Sequence, residues 1–124
     1  MHYRIGTRGS KLALVQSEYV KRRMEEAYPE DTFELVIIKT TGDKVTDKPL
    51  AAIGTKGLFV KEIEEELLSG SIDMAVHSMK DMPAECATGL TFAKAWKRED
   101  CRDVLILKTA GSFSELPSGA VIEI

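Results

Sequence analysis

The sequence predicts an α/β fold in which a mainly parallel sheet is flanked by helices. A β-prone run over residues 3–7 leads into helically spaced apolar residues, which are followed by an unbroken apolar run over residues 33–40. This order of strand, helix and strand indicates a βαβ unit. A further helical pattern over residues 58–69 and a short apolar run over residues 72–77 repeat the alternation. Alternating helices and strands are typical of a parallel sheet covered by helices.

The first helix is predicted to begin after Ser10, whose hydroxyl suits an N-cap, and to end at Pro29. Its apolar positions follow the helical period: Leu12, Val15, Tyr19, Val20, Met24 and Ala27. The run over residues 33–40 is expected to be a strand covered on both faces, as strands in a parallel sheet are. Residues 41–56 are rich in Gly, Asp, Lys, Thr and Pro and predict a mobile loop that closes over a site.

The second half of the sequence predicts one more helix and several short strands. Residues 58–69 have helical spacing with glutamates on the solvated faces, and Ser69 and Gly70 stop the helix. Four apolar runs are expected to be strands, the last of them only beginning: residues 72–77, 90–96, 104–107 and 120–124. Residues 112–117 are expected to form a turn or a short helix.

Composition indicates a soluble globular protein and argues against several classes of function. Hydrophobic residues make up 44% of the chain and charged residues 30%, and the net charge of -3 offers no cationic field for nucleic acid. No apolar stretch approaches the roughly 20 residues that cross a bilayer, so a cytoplasmic location is expected. Cys86 and Cys101 lack metal or redox spacing and are expected to be structural thiols, and no histidine spacing indicates a metal site.

Three motifs lie at predicted strand ends or helix starts, where unpaired N–H groups favour anions: TRGS at residues 7–10, GTKGLF at residues 54–59 and HSMKD at residues 77–81. Arg8, Lys56 and Lys80 add positive charge to these motifs. A small polyanion is therefore the indicated ligand. Each motif alone is also compatible with an ordinary surface turn.

Two residues of the last motif have alternative interpretations. Asp81 follows a buried strand, and a carboxylate in a cleft transfers protons or stabilises a developing cation. Asp81 is also placed to cap the turn before Pro83. His77 ends an apolar strand, where a lone histidine is more often a structural group than a ligand or a base.

Four segments, taken in their order and spacing, resemble the porphobilinogen deaminase family nearly from end to end of the chain: RIGTRGSKLAL at residues 4–14, GLFVKE at residues 57–62, AVHSMKDMP at residues 75–83 and REDCRD at residues 98–103. The resemblance implies a lobe similar to those of periplasmic binding proteins, completed by a segment that returns from later in a longer sequence. It assigns residues 1–98 to this first domain and residues 99–124 to the crossover and the start of a second domain. The chain is expected to be an inactive N-terminal fragment of a monomeric parent.

For that parent the resemblance implies a transferase, a hydroxymethylbilane synthase of tetrapyrrole and heme biosynthesis, which condenses four porphobilinogen molecules and releases ammonia. By position, Asp81 matches the family's catalytic aspartate. The positions that hold the dipyrromethane cofactor correspond to Arg8, Ser10, Lys56, Ser78, Lys80 and Asp81, and those that hold substrate correspond to Arg8, Phe59 and Lys80. Neither Cys86 nor Cys101 matches the cysteine that carries the cofactor.

The sequence departs from the family pattern at three positions. Many members have lysine at the position of Ala52 and glycine at that of Thr55, and Glu123 stands where a glycine normally opens the next binding motif. Two other functions stay open for a chain of this length. One is a module that binds small carboxylates without catalysis, and the other is a module that associates with a second copy through an unpaired sheet edge.

Overall fold

The computed structural model describes residues 1–44, 59–102, 104, 106–107 and 111–121. The chain divides into two compact units, Met1–Phe92 and Ala93–Ile124. The first unit contains a sheet of three parallel strands in the order β2-β1-β3: β1 at His2–Thr7, β2 at Thr32–Ile37 and β3 at Met74–Ala75. Parallel strands joined through helices confirm the predicted α/β fold.

β1 is the central strand of this sheet. It pairs with β2 along its whole length and with β3 at Ile5 and Gly6, so Ile5 is fully buried. The prediction that residues 33–40 are covered on both faces is confirmed only in part: Phe33, on one face, is 5% exposed and Ile38, on the other, is 9% exposed, but Ile37 is 57% exposed. β2 is an outer strand of the described sheet, and each of its faces is covered along only part of its length.

Helix α1, Lys11–Ala27, begins and ends as the sequence predicts. The Ser10 hydroxyl accepts a hydrogen bond from the Ala13 N–H at 3.3 Å, and the chain leaves the helix at Tyr28, just before Pro29. Its inward face differs from the predicted one. The buried residue on this helix is Ser17, whose hydroxyl lies 2.6 Å from the hydroxyl of Thr7 on β1.

Four of the apolar residues assigned to the packed face of α1 lie at the surface instead: Leu12, Val15, Tyr19 and Ala27. The helix is rotated relative to the predicted face because a polar residue occupies the centre of its contact with β1. The two buried hydroxyls, together with the Ala13 carbonyl that accepts from Ser17 at 2.8 Å, satisfy one another's hydrogen bonds. The spacing of apolar residues along the helix does not predict a polar contact of this kind.

Two further helices follow β2. Helix α2, Thr41–Lys44, occupies the start of the segment predicted to be a loop, and the rest of that segment lies outside the described residues. Helix α3, Lys61–Leu68, begins after a turn at residues 59–60 and is followed by Gly70, whose positive φ of 74° ends it as predicted. Ile63 of α3 packs with Ile38 and Ile72 in the hydrophobic core.

The strands predicted after α3 are shorter than expected or are not formed in the described residues. The predicted strand over residues 72–77 is reduced to β3, and residues 90–96 contain no strand. Val104 and Ile106 are 84% and 90% exposed. An apolar run becomes a strand when a neighbour satisfies its N–H and C=O groups, and the described residues supply no such neighbour here.

In the second unit, the 3₁₀ turn Phe113–Glu115 confirms the short helix predicted over residues 112–117. Residues 122–124, within the last predicted strand, lie outside the described part of the chain. The assignment of residues 1–98 and 99–124 to different domains stays a prediction. None of the helices that the structure describes has the length and apolar character to span a membrane.

Candidate functional site

A pocket of about 90 Å³ lies beside the carboxyl ends of β1 and β3. It is lined by Arg8, Ser10, Leu12, Ala13, Gln16, Val76, His77, Ser78, Lys80 and Asp81. A space of this volume accommodates a carboxylate group or a few water molecules rather than the whole of a large ligand. The pocket therefore has the size of a subsite for one end of a larger ligand.

Sheet topology brings these residues together. β1 and β3 are parallel neighbours, so their carboxyl ends lie at the same edge of the sheet. Arg8 and Ser10 occupy the connection from β1 to α1, and Lys80 and Asp81 belong to the 3₁₀ turn Met79–Asp81 that follows β3. The two sides are joined where the Ser78 hydroxyl donates to Gln16 Oε1 at 2.9 Å.

Arg8 is held in place by two different contacts. Its Nη2 and Nε donate to Asp43 Oδ1 at 2.5 and 3.1 Å, and its guanidinium carbon lies 3.9 Å from the centroid of the Phe59 ring. The Arg8 and Asp43 side chains are only 17% and 23% exposed. A charged pair that is shielded from solvent and stacked on an aromatic ring is more rigid than a surface ion pair.

The Asp43 carboxyl has a pKa below its ordinary value. Partial burial raises this pKa, but hydrogen bonds from Arg8 and Thr40, together with the Arg8 charge, outweigh burial and lower it. The folded state therefore favours the ionised carboxylate. Its contribution to stability is complete above the ordinary aspartate pKa of about 3.9 and is lost as the pH falls through the lower folded-state value.

Acidification is expected to destabilise the wild-type chain more than its Asp43→Asn variant. The variant has no carboxyl at this position to protonate, so it lacks this part of the pH dependence. Asp73, whose pKa is lowered chiefly by hydrogen bonds from Arg4, leaves a residual pH dependence in both proteins. Urea unfolding at about pH 7 and about pH 3 measures the difference. Equal losses of stability in the two proteins would contradict a stabilising role of the ionised Asp43 carboxylate.

His77 connects the pocket to the turn that precedes α3. Its Nε2 lies 3.0 Å from the Phe59 carbonyl oxygen, and its Nδ1 lies 3.3 Å from the Ser78 carbonyl oxygen. These contacts fit the structural interpretation of His77, since they join two backbone segments. No group of His, Cys, Asp and Glu side chains within the described ranges is placed to hold a metal ion.

Asp81 is half-buried at the pocket, whereas its neighbour Lys80 is exposed. The Asp81 N–H donates to the Ser78 carbonyl at 3.0 Å, which forms the 3₁₀ turn. In the part of the chain that the structure describes, no backbone N–H donates to the Asp81 carboxylate. The geometry therefore does not support the alternative in which Asp81 caps the turn before Pro83.

Most of the residues singled out from the sequence lie together. The pocket lining includes five of them: Arg8, Ser10, Ser78, Lys80 and Asp81. Phe59 does not line the pocket but stacks on Arg8. Lys56 lies outside the described residues, as do the family departures Ala52, Thr55 and Glu123.

Sequence reasoning missed two residues of this site. Gln16 lines the pocket, and its position one helical turn after Ala13 was the available signal. Asp43 lies 35 residues from Arg8 in the sequence, and nothing in the local pattern marks it as a partner. Its role follows from the placement of α2 beside the end of β1.

Comparison with known proteins shows a single family. A family profile described as "Porphobilinogen deaminase, dipyromethane cofactor binding domain" matches residues 3–124. The porphobilinogen deaminase of Lachnospira eligens is 98% identical over 122 residues, which cover 98% of this chain and 41% of that protein. The corresponding proteins of Clostridioides difficile and Syntrophus aciditrophicus are 57% and 56% identical, over 41% and 39% of their own lengths. The chain thus spans about two fifths of the length of these relatives.

Proposed function

The chain belongs to the porphobilinogen deaminase family, and from this membership we propose that it supplies the cofactor-binding and substrate-binding half-site of a hydroxymethylbilane synthase. That enzyme joins four porphobilinogen molecules into hydroxymethylbilane and releases ammonia, a step of tetrapyrrole and heme biosynthesis. One observation carries the proposal. The pocket gathers two cationic side chains, two hydroxyls and one carboxylate at a single edge of the sheet.

The donors of the pocket fit the acetate and propionate groups of a pyrrole ligand. Arg8 and Lys80 supply positive charge, and Ser10 and Ser78 supply hydroxyl donors. Carboxylates are bound by this combination of groups. We propose that Arg8, Ser10, Ser78, Lys80 and Asp81 hold the dipyrromethane cofactor, with Lys56 as a further contact. Neither Cys86 nor Cys101 matches the family's cofactor-carrying cysteine, and we propose that the cofactor is attached at a cysteine elsewhere in a longer protein.

Asp81 is the proposed catalytic residue. We propose that its carboxylate accepts hydrogen bonds from a pyrrole N–H and stabilises positive charge on the substrate as the aminomethyl nitrogen departs. The aminomethyl group departs in its protonated form, so its nitrogen takes the electron pair of the broken C–N bond and leaves as neutral ammonia. When bound, the dipyrromethane supplies the free α-carbon that attacks the resulting cation. Half-burial of Asp81 strengthens its interaction with that charge relative to bulk water.

Phe59, Arg8 and Lys80 are the proposed substrate contacts. Arg8 covers one face of the Phe59 ring, so a pyrrole of the substrate packs on another part of that ring. We propose a cytoplasmic location, a reducing compartment in which Cys86 and Cys101 would remain thiols. The negative net charge supports a small-molecule ligand rather than nucleic acid. We propose that the complete enzyme is a monomer.

Intact mass and turnover of the natural gene product test the proposed function. A protein that carries a covalently attached dipyrromethane and consumes porphobilinogen is the expected result, with no turnover by the 124-residue chain alone. A natural product without the cofactor and without turnover would overturn the proposal. Porphobilinogen binding by such a product would favour a carboxylate-binding module, and concentration-dependent growth in mass by light scattering would favour self-association.

A further inference from the structure

We propose that Asp43 is a positioning residue for Arg8. It binds one edge of the guanidinium and leaves the other edge available to a carboxylate of the ligand. This inference rests on the proposed function, which places an acetate or propionate group of a pyrrole at Arg8. It adds a residue that the family resemblance did not assign.

The geometry of the Arg8–Asp43 pair leaves one edge of the guanidinium open. Asp43 Oδ1 accepts from Arg8 Nη2 at 2.5 Å and from Nε at 3.1 Å, and Oδ2 lies 3.3 Å from Nε. These contacts occupy the Nε–Nη2 edge of the guanidinium. Within the described part of the chain, Arg8 Nη1 donates to no residue. The planar guanidinium has a second edge, Nη1–Nη2, that binds a carboxylate while the first edge is occupied.

Asp43 is itself fixed by neighbouring residues. Its Oδ2 accepts from the hydroxyl of the fully buried Thr40 at 2.8 Å, and its N–H donates to the Thr40 carbonyl at 3.1 Å. The Thr41 N–H donates to Glu62 Oε1 at 2.7 Å, which ties α2 to α3. Because these contacts hold Asp43, its carboxylate fixes the position of the Arg8 side chain.

The Arg8–Asp43 pair is also closely packed. A Cβ atom added to Gly42 would lie 2.1 to 2.7 Å from three atoms of the Phe59 ring, so α2 rests directly on that ring. The ring in turn lies under the Arg8 guanidinium at 3.9 Å. Asp43 and Phe59 thus restrict Arg8 in two directions, one along the plane of the guanidinium and one perpendicular to it.

Positioning and charge neutralisation make opposite predictions for ligand binding. If Asp43 merely cancelled the Arg8 charge, its removal would strengthen binding of an anionic ligand. If Asp43 orients Arg8, its removal weakens binding because the guanidinium loses its preferred direction. The sign of the change therefore decides between the two roles.

The test compares two aspartates that each pair with an arginine. Asp43→Asn is made in the full-length family member that carries these residues. The matched control is Asp73→Asn, because Asp73 binds Arg4 through two 3.0 Å contacts, outside the pocket lining. Asp43→Asn is expected to raise the KM for porphobilinogen on the order of tenfold with a smaller change in kcat. The control is expected to leave KM within about twofold.

Two further variants separate the inference from the function on which it rests. Arg8→Ala is expected to raise KM, and adding Asp43→Asn to it is expected to change nothing more, since Asp43 acts through Arg8. An unchanged KM in Arg8→Ala would contradict the proposed ligand contact itself. A raised KM in Arg8→Ala combined with an unchanged or lowered KM in Asp43→Asn would overturn the positioning role alone.

Side-chain NMR of Arg8 provides a readout that needs neither turnover nor a stable variant. The Arg8 Nε–Hε group of the wild-type protein is expected to exchange slowly with water, because it donates to Asp43 inside a shielded pair. Asp43→Glu, which keeps the charge, is expected to retain part of this protection and part of the affinity. Rapid exchange of the Arg8 Hε in the wild-type protein would overturn the proposal.

Discussion

Replacing Asp81 by asparagine in the full-length protein is expected to lower kcat for porphobilinogen at least about a hundredfold. Asparagine has nearly the size of aspartate but carries no charge. It therefore cannot stabilise the cation that develops on the substrate when ammonia leaves. Asp81 is half-buried and its carboxylate supports no hydrogen bond that the described residues form, so the fold is expected to survive the change.

The matched control for this experiment is Glu85→Gln. Glu85 is an exposed acid four positions further along the same segment and does not line the pocket. Its replacement is expected to leave kcat within about twofold. Circular dichroism verifies the fold of both variants, and intact mass reports the dipyrromethane content. Near-normal turnover by a folded Asp81→Asn protein would exclude the assigned catalytic role.

Replacing Ile5 by alanine is expected to destabilise the fold by roughly 2 to 5 kcal/mol. Ile5 lies on the central strand, pairs with residues of both neighbouring strands and is fully buried. The variant loses apolar contacts and leaves a cavity that its neighbours fill incompletely. Since domains are typically stable by about 5 to 15 kcal/mol, this loss is a large share of the total. Urea unfolding measures it.

Val15→Ala removes an aliphatic side chain from a different environment and serves as the comparison. Val15 is on α1 and is 68% exposed, so its replacement by alanine, a better helix former, is expected to change stability by no more than about 0.5 kcal/mol. Similar losses of unfolding free energy in the two variants would contradict the conclusion that burial of Ile5 stabilises the core.

The family segments and the local signals of the chain were sufficient for the fold class and for most of the pocket. Three features that depend on neighbouring residues were predicted correctly: the Ser10 cap, the end of α1 before Pro29 and the glycine after α3. The polar residues of the pocket that the sequence analysis named, Arg8, Ser10, Ser78, Lys80 and Asp81, are close to strand ends in the sequence, where parallel topology gathers anion-binding groups.

Contacts between distant segments were decided by the tertiary structure. Periodicity assigned Leu12 and Val15 to the packed face of α1, whereas the structure buries Ser17 because its hydroxyl meets that of Thr7. The apolar runs over residues 90–96 and 104–107 look like strands, but a strand also requires a partner for its backbone groups. The spacing of apolar residues within one segment indicates neither a hydroxyl contact with another segment nor the partner of a strand.

The sequence by itself determined the parallel α/β arrangement, the ends of α1 and the charged groups available for a carboxylate ligand. Only the tertiary structure decided which partner holds Arg8. Asp43 is separated from Arg8 by 35 positions and becomes its neighbour because β2 runs parallel to β1 and delivers α2 to the same edge of the sheet. Local interactions depend on residues that are close along the chain, whereas an ion pair depends on distance in space, which the packing of the sheet sets.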